Sequence, residues 1–84
     1  MVIYALVDAN TWELDPDLIF TDVSIAGPKS ERLHMVLVAI EVEPHGVSRR
    51  LWSGMRKANA NGYGWEWFGP DMQMLDKAPV SWAT

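Results

Sequence analysis

A chain of 84 residues has room for one hydrophobic core, so we expect residues 1–84 to form a single domain. Its composition, 49% hydrophobic and 21% charged, is typical of a globular protein, and the lack of cysteine excludes disulfides, thiolate zinc sites and cysteine nucleophiles. The net charge of −4 argues against a general affinity for nucleic acid. No apolar run approaches the roughly 20 residues that a membrane helix needs, so a cytoplasmic protein without membrane contact is expected.

The first predicted element is a strand over residues 2–7, where every side chain is apolar or aromatic. Valine, isoleucine and tyrosine favour strands, and the lack of a polar face indicates a central strand that is buried on both sides. A loop over residues 8–17 follows and ends in an Asp-Pro-Asp turn. Trp12 lies in this loop and is expected to cover the core as a lid, with an exposed anchor as the alternative.

Residues 18–26 are predicted to form the second strand, because β-branched side chains recur at every second position. Its predicted core face carries Ile19, Thr21, Val23 and Ile25. A polar connection of hairpin length over residues 27–31 leads to a long third strand over residues 32–43, where β-branched residues alternate. We expect the second and third strands to pair antiparallel.

The only predicted helix spans residues 47–60. Steps of 100° per residue place four apolar residues within an arc of about 80°: Val47, Leu51, Met55 and Ala58. Four cations fall on the opposite arc: Arg49, Arg50, Arg56 and Lys57. Gly54 lies beside the apolar arc, where its missing side chain would let the helix approach a sheet. Arg49 and Arg50 occupy the first turn, where the helix dipole disfavours cations, so a role other than folding is indicated.

An aromatic strand is predicted over residues 63–68, followed by a return strand over residues 72–75, for which a helical turn is the alternative. Trp82 is expected to pin the tail to the body of the domain. These elements predict a small two-layer α+β fold, in which an antiparallel sheet of three to five strands carries one helix on a face. The predicted order is βββαβ, with a further strand at residues 72–75.

The sequence contains no constellation that indicates catalysis. It has no glycine-rich phosphate loop, no HExxH motif and no GxSxG motif. His34 falls in an apolar strand, where a core or edge histidine is expected, and His45 has no evident nucleophile near it. Asp15 and Asp17 are faintly similar to a calcium-ligand cluster, but Pro16 interrupts the ligand spacing, and an acidic solvated surface explains them better. We therefore expect no enzyme activity, no cofactor and no metal site.

Charge is distributed unevenly along the chain. Residues 1–43 hold eight acidic and two basic residues, whereas residues 44–65 hold four basic residues and no acidic one. Residues 46–68 combine these four cations with three of the five tryptophans. The predicted partner-binding surface therefore comprises Arg49, Arg50, Trp52, Arg56, Lys57, Tyr63, Trp65 and Trp67. The structural alternatives are a solvated helix face for the cations and a buried strand face for the aromatic residues.

Two functions are consistent with these features. The first is a small non-catalytic binding protein that docks onto a larger protein or protein complex as an inhibitor or adaptor. Phage-encoded inhibitors of host defence are one class of such small domains, and a homodimer formed through the edge of the aromatic strand is a variant. The alternative is a single-stranded nucleic-acid-binding module, in which Tyr63, Trp65 and Trp67 stack on bases beside the basic helix.

Overall fold

Six antiparallel strands form one sheet, and a helix packs on one side of it, within residues 1–82, which the computed structural model describes. The strands are β1 (Val2–Val7), β2 (Leu14–Phe20), β3 (Val36–Val42), β4 (Ser48–Asn59), β5 (Gly62–Phe68) and β6 (Met74–Leu75). The helix α1 (Val23–Leu33) follows β2, and the sheet order is β2-β1-β3-β4-β5-β6. The predicted fold class, a small α+β domain with one helix on an antiparallel sheet, is confirmed. The predicted order agrees only roughly, because the helix follows the second strand and there are extra strands.

The sheet has a buried cluster on each of its faces. On the face that α1 covers, which we call the helix face, Leu6 and Leu37 of the sheet are fully buried against Ala26 of the helix. The opposite face, which we call the open face, has its own buried cluster, made of Val7, Val36 and Val38. Successive strand residues point to opposite faces, so the continuous apolar run of β1 supplies both clusters.

α1 begins where the second strand was predicted to continue. The carboxylate of Asp22 caps it by accepting hydrogen bonds from the Ser24 hydroxyl at 2.7 Å and the Ser24 N–H at 2.9 Å, and these bonds lower the pKa of the Asp22 carboxyl. The predicted strand is therefore wrong beyond Phe20, and the predicted connection over residues 27–31 is helical. Pro28, which suggested a turn, lies inside the helix and deprives it of one N–H donor.

Small residues let α1 lie close to the sheet. Its buried residues are Ala26, Gly27 and Ser30, and the Ser30 hydroxyl donates a hydrogen bond to the Gly27 carbonyl at 2.8 Å. A Cβ atom at position 27 would overlap the indole of Trp82, so glycine is needed where the tail crosses the helix. The prediction that Trp82 pins the tail to the body is confirmed.

In β2, the side chains that were predicted to face away from the core are the ones that face it. Leu18 and Phe20 pack against the helix-face cluster, whereas Ile19 is 39% exposed and Ile25 belongs to α1. The predicted pairing of the second and third strands is wrong as well, since β2 and β3 both pair with β1. α1 carries the chain across the sheet, so β3 arrives on the far side of β1.

The helix predicted over residues 47–60 is wrong, because this segment forms β4. It pairs antiparallel with β3 on one side and with β5 on the other. Trp52, Gly54 and Arg56 therefore point to the helix face, and the intervening side chains point to the open face. Backbone groups that would have bonded within a helix instead bond across the sheet, and tertiary pairing overrides the helical pattern.

An irregularity in β4 hides its alternation in the sequence. Ala39 of β3 is opposite Trp52, but the next residue, Ile40, is opposite Arg50, so Leu51 is an extra residue in the register. Because of this bulge, Arg50 and Trp52 point to opposite faces of the sheet, although residues two apart in a regular strand share a face. The dipole argument for Arg49 and Arg50 does not apply, because both residues lie in β4 and no helix begins there.

The remaining strand predictions agree with the structure fully for the aromatic strand and in part for the other two. Residues 63–68 form β5, and the return strand predicted over residues 72–75 is present as the two-residue β6. Within the strand predicted over residues 32–43, residues 36–42 form β3 and the first two residues complete α1. Across residues 1–82, no helix combines the length and apolarity that crossing a bilayer requires.

Candidate functional site

The three predicted partner-binding tryptophans lie in the core of the helix face. Trp65 stacks on Trp67 with ring centroids 4.8 Å apart and planes 11° apart, and Trp52 meets Trp67 edge to face at 5.5 Å. Trp82 meets both stacked rings edge to face, at 5.2 Å and 5.5 Å. Trp65 also donates a hydrogen bond from Nε1 to Glu31 of α1 at 3.2 Å. The aromatic strand face is therefore packed into the core, as the structural alternative in the sequence proposed, and Trp65 and Trp82 connect it to α1.

The four predicted cations are divided between the two faces of the sheet. Arg50 and Lys57 extend over the open face, whereas Arg56 lies on the helix face with Trp65 opposite it in the register. Arg49 is exposed and lies opposite Glu41 of β3. The single basic arc predicted for a helix is therefore absent.

Arg56 and Tyr63 come together at the far end of the β4–β5 hairpin. The described pairs between β3 and β4 end at Gly54, and β4 continues with only β5 beside it. We call residues 56–63 the hairpin tip. There the Arg56 guanidinium lies over the Tyr63 ring, 4.4 Å from its centroid, and Tyr63 remains 65% exposed. Arg56 Nη1 also lies 3.9 Å from Glu31 Oε2. This ion pair is partly exposed to solvent and contributes little to stability.

The open face contains a cavity of about 250 Å³ that was not predicted from the sequence. Its floor includes Val36, Ser53 and Phe68, and its outer wall includes Trp12 and Met72. Trp12 lines this cavity but is 41% exposed, so it combines features of the predicted lid and of its alternative, an exposed anchor. The walls come from residues far apart in the sequence, and no local pattern could have revealed them.

A network of hydrogen bonds holds Trp12 in place over the open face. The Asp8 carboxylate accepts from the N–H groups of Thr11 and Asn10 at 3.0 Å and 2.8 Å, and these bonds lower the pKa of the Asp8 carboxyl. Arg50 lies over the Trp12 ring, 5.9 Å from its centroid, and donates a hydrogen bond to the Pro70 carbonyl at 3.2 Å. The predicted partner-binding Arg50 thus links the two loops of the open face.

Ser53 is a buried hydroxyl on the cavity floor without a partner. It is 1% exposed, and its Oγ makes no hydrogen bond with any residue that the structure describes. A buried polar group without a partner carries a desolvation cost. Ser30, which is equally buried, provides the comparison, because its hydroxyl is satisfied by Gly27.

We expect Ser53→Ala to raise the free energy of unfolding by up to about 1 kcal/mol, because it removes an unsatisfied hydroxyl. The matched control, Ser30→Ala, should lower it by roughly 1 kcal/mol through loss of a formed hydrogen bond. Urea denaturation of both variants measures the difference. A Ser53→Ala variant that is destabilised as much as Ser30→Ala would show that the Ser53 hydroxyl has a partner.

The two residues of the predicted calcium-like cluster lie in β2, so the loop predicted over residues 8–17 ends at Glu13 and its predicted Asp-Pro-Asp turn is wrong. Asp15 accepts a hydrogen bond from the N–H of Asp17 at 2.9 Å. Within residues 1–82, no group of three or more histidine or acidic side chains is arranged to hold a metal ion. His34 occupies the left-handed C-cap of α1 rather than a strand.

Comparison with protein-family models, with curated proteins and with solved structures found no match for this chain. The geometry of the structure itself identifies two surfaces as candidates for function. They are the hairpin tip, with Arg56 and Tyr63, and the open-face cavity, with Ser53 on its floor.

Proposed function

We propose that this chain is a non-catalytic binding protein, an inhibitor or adaptor, that docks onto a larger protein through the hairpin tip. The observation that carries the proposal is the exposed Tyr63 ring under the Arg56 guanidinium, 4.4 Å from its centroid. Tyrosine and arginine are enriched among the residues that dominate binding energy in protein interfaces. An exposed pair that is already assembled loses little side-chain freedom when a partner covers it.

The rigidity of the hairpin supports this proposal. Arg56 has Trp65 opposite it in the register, and Trp65 is fixed by stacking on Trp67 and by its bond to Glu31. The tip is thus attached directly to the aromatic core. With Lys57 on its other side, the tip presents two cations, so an acidic groove is the complementary surface on the partner.

The test is capture of a partner from an extract of the source cells by immobilised protein. Wild type is compared with Arg56→Ala/Tyr63→Ala and with the control Met74→Ala/Lys77→Ala, which removes one cation and one side chain of equal exposure, since Met74 is 66% exposed. One protein should be retained equally by wild type and control, and at least tenfold less by the tip variant. A folded tip variant that keeps full capture would contradict the proposal.

Single-stranded nucleic acid remains the alternative, and salt distinguishes it. The stacking face that it requires is reduced to Tyr63, because Trp65 and Trp67 stack on each other within the aromatic core. Nucleic-acid binding should weaken steeply as salt rises, in proportion to the number of phosphates contacted. Binding of an oligothymidine with such a slope, lost in the tip variant, would favour this alternative.

The edge of β5 is relevant to the homodimer hypothesis. β6 pairs only with Trp67 and Phe68, so residues 62–66 have no strand on that side among the described pairs. A second copy could add a strand there through backbone hydrogen bonds. Light scattering after size-exclusion chromatography measures the mass directly, and a monomer at high concentration would exclude this variant.

A further inference from the structure

The open-face cavity has the construction of a ligand site. Its floor is the sheet itself, with Val36 and Phe68 beside the buried Ser53, and its outer wall is formed by Trp12 and Met72. Both wall residues are partly exposed, so each separates the cavity from solvent. Ligand sites combine mostly apolar walls with a few placed polar groups in this way.

The backbone conformation of the wall residues is unusual. Among the described residues, three other than glycine have positive φ, namely Trp12 at 60°, His34 at 55° and Met72 at 63°. His34 is explained by its position as the helix C-cap, because left-handed residues commonly end helices. The other two both line the cavity. Large side chains held in this conformation carry strain, which clusters at ligand-binding sites.

Ser53 defines the polar part of the site. Its hydroxyl can donate one hydrogen bond and accept up to two, and no described residue uses it. At the rim, Lys57 and Glu66 carry opposite charges, and neither forms an ion pair within the described chain. The rim therefore gives no preference for a ligand of either net charge. The polar requirement is one neutral hydrogen-bonding group.

The size and lining of the cavity determine which apolar group a ligand can place in it. About 250 Å³ lies below the roughly 300–1,000 Å³ of sites for drug-sized molecules, so the ligand is a single small ring system. Trp12 and Phe68 offer ring faces and edges to an aromatic ligand. The thioethers of Met55 and Met72 make favourable contacts with aromatic rings and adapt to their shape.

We infer that the open-face cavity binds a small, free, neutral aromatic molecule with one hydroxyl or N–H group. The ring lies between the outer wall and the sheet floor. The Ser53 Oγ atom is covered in the free protein, so Trp12 or Met72 moves on binding and lets the polar group of the ligand bond to it. Arg50 supports the wall by linking Trp12 to the Pro70 carbonyl. This site lies on the opposite face from Arg56 and Tyr63, so it does not depend on the proposed docking function.

The test uses phenol and toluene, which have the same shape and differ in the hydroxyl group. Each is titrated into the full chain and followed by amide and indole N–H shifts in NMR. We expect saturable shifts at Trp12 and Phe68, with phenol bound more tightly than toluene. Ser53→Ala should weaken phenol roughly 3- to 10-fold and leave toluene unchanged, because only phenol uses the hydroxyl.

A second variant tests the wall. Met72→Gly removes one side of the cavity, and glycine suits the positive φ at this position, so the variant should fold at least as well as wild type. Binding of both phenol and toluene should weaken. The control is Met74→Gly, outside the cavity lining, which should leave both affinities unchanged.

Three results would overturn the inference. The first is the absence of saturable binding of phenol to the folded wild-type protein. The second is an unchanged affinity for phenol in Ser53→Ala. The third is tighter binding of N-acetyltyrosinamide than of p-cresol, which would identify the cavity as a socket for a partner's side chain. Because these titrations involve no partner protein, they can fail while the docking proposal stands, and the reverse also holds.

Discussion

Trp67→Ala should lower the free energy of unfolding by about 3–5 kcal/mol, a large part of the stability of a domain of this size. Trp67 is 7% exposed and contacts Trp52, Trp65 and Trp82 with ring centroids between 4.8 Å and 5.5 Å apart. Removing its indole leaves a cavity where β4, β5 and the tail meet. Urea denaturation followed by far-UV circular dichroism measures the loss.

The matched control is Trp12→Ala, which removes the same side chain from an exposed loop. Trp12 is 41% exposed and covers the open face, so its loss should cost considerably less. If the two variants melt at the same temperature, close to wild type, Trp67 cannot be the centre of the core. This comparison decides between the core and recognition alternatives that the sequence left open for the aromatic strand.

Gly54→Ala should be the second large effect, with a loss of about 1–3 kcal/mol. Gly54 lies directly beneath the Trp67 indole, and an added Cβ would overlap the ring. Alanine normally suits a strand better than glycine, so destabilisation here must come from overpacking. Thermal unfolding of the single variant gives the size of the loss.

A double-mutant cycle that combines Gly54→Ala with Trp67→Leu identifies the cause of this destabilisation. If the indole is the obstacle, Gly54→Ala should cost much less in the Trp67→Leu background, with a coupling energy of roughly 0.5–3 kcal/mol. Equal costs in both backgrounds would place the strain elsewhere. Gly54 was expected from the sequence to mark a close approach, and the structure shows that the approaching group is an indole.

The sequence predicts an element of this fold when contacts between nearby residues determine that element, and fails when contacts between distant residues do. β1 and β3 were predictable, because their β-branched, apolar runs favour strands. Residues 47–60 fit an amphipathic helix by periodicity, yet pairing with β3 and β5 makes them a strand. The bulge at Leu51 disrupts the period of two that would have indicated this.

The helix was missed for a different reason. Asp22 followed by Ser24 is a recognisable cap, but Gly27 and Pro28 together indicate a turn in the absence of tertiary contacts. In the structure Gly27 gives room to Trp82, and Pro28 lies on the exposed side of α1. The reason for Gly27 lies in packing against a segment more than fifty positions away.

The candidate sites show the same limit. Arg56 and Tyr63 were predicted as binding residues, but their contact requires the β4–β5 hairpin rather than a helix followed by a strand. Ser53 was not among the residues predicted to form a site. Its importance arises from burial without a partner, which depends on Trp12 and Met72 closing over it in a conformation that their residue types disfavour.

The sheet order has a consequence for the rate and sequence of folding. β3, β4 and β5 are consecutive in the chain and adjacent in the sheet, so their hairpins close short loops. β1 lies between β2 and β3, and its pairing with β3 must wait until α1 has carried the chain across the sheet. We therefore expect the entropic barrier to lie mainly in docking the amino-terminal ββα segment onto the meander of β3, β4 and β5. The aromatic core that attaches the hairpin tip is completed in the same step, because α1 forms one of its walls.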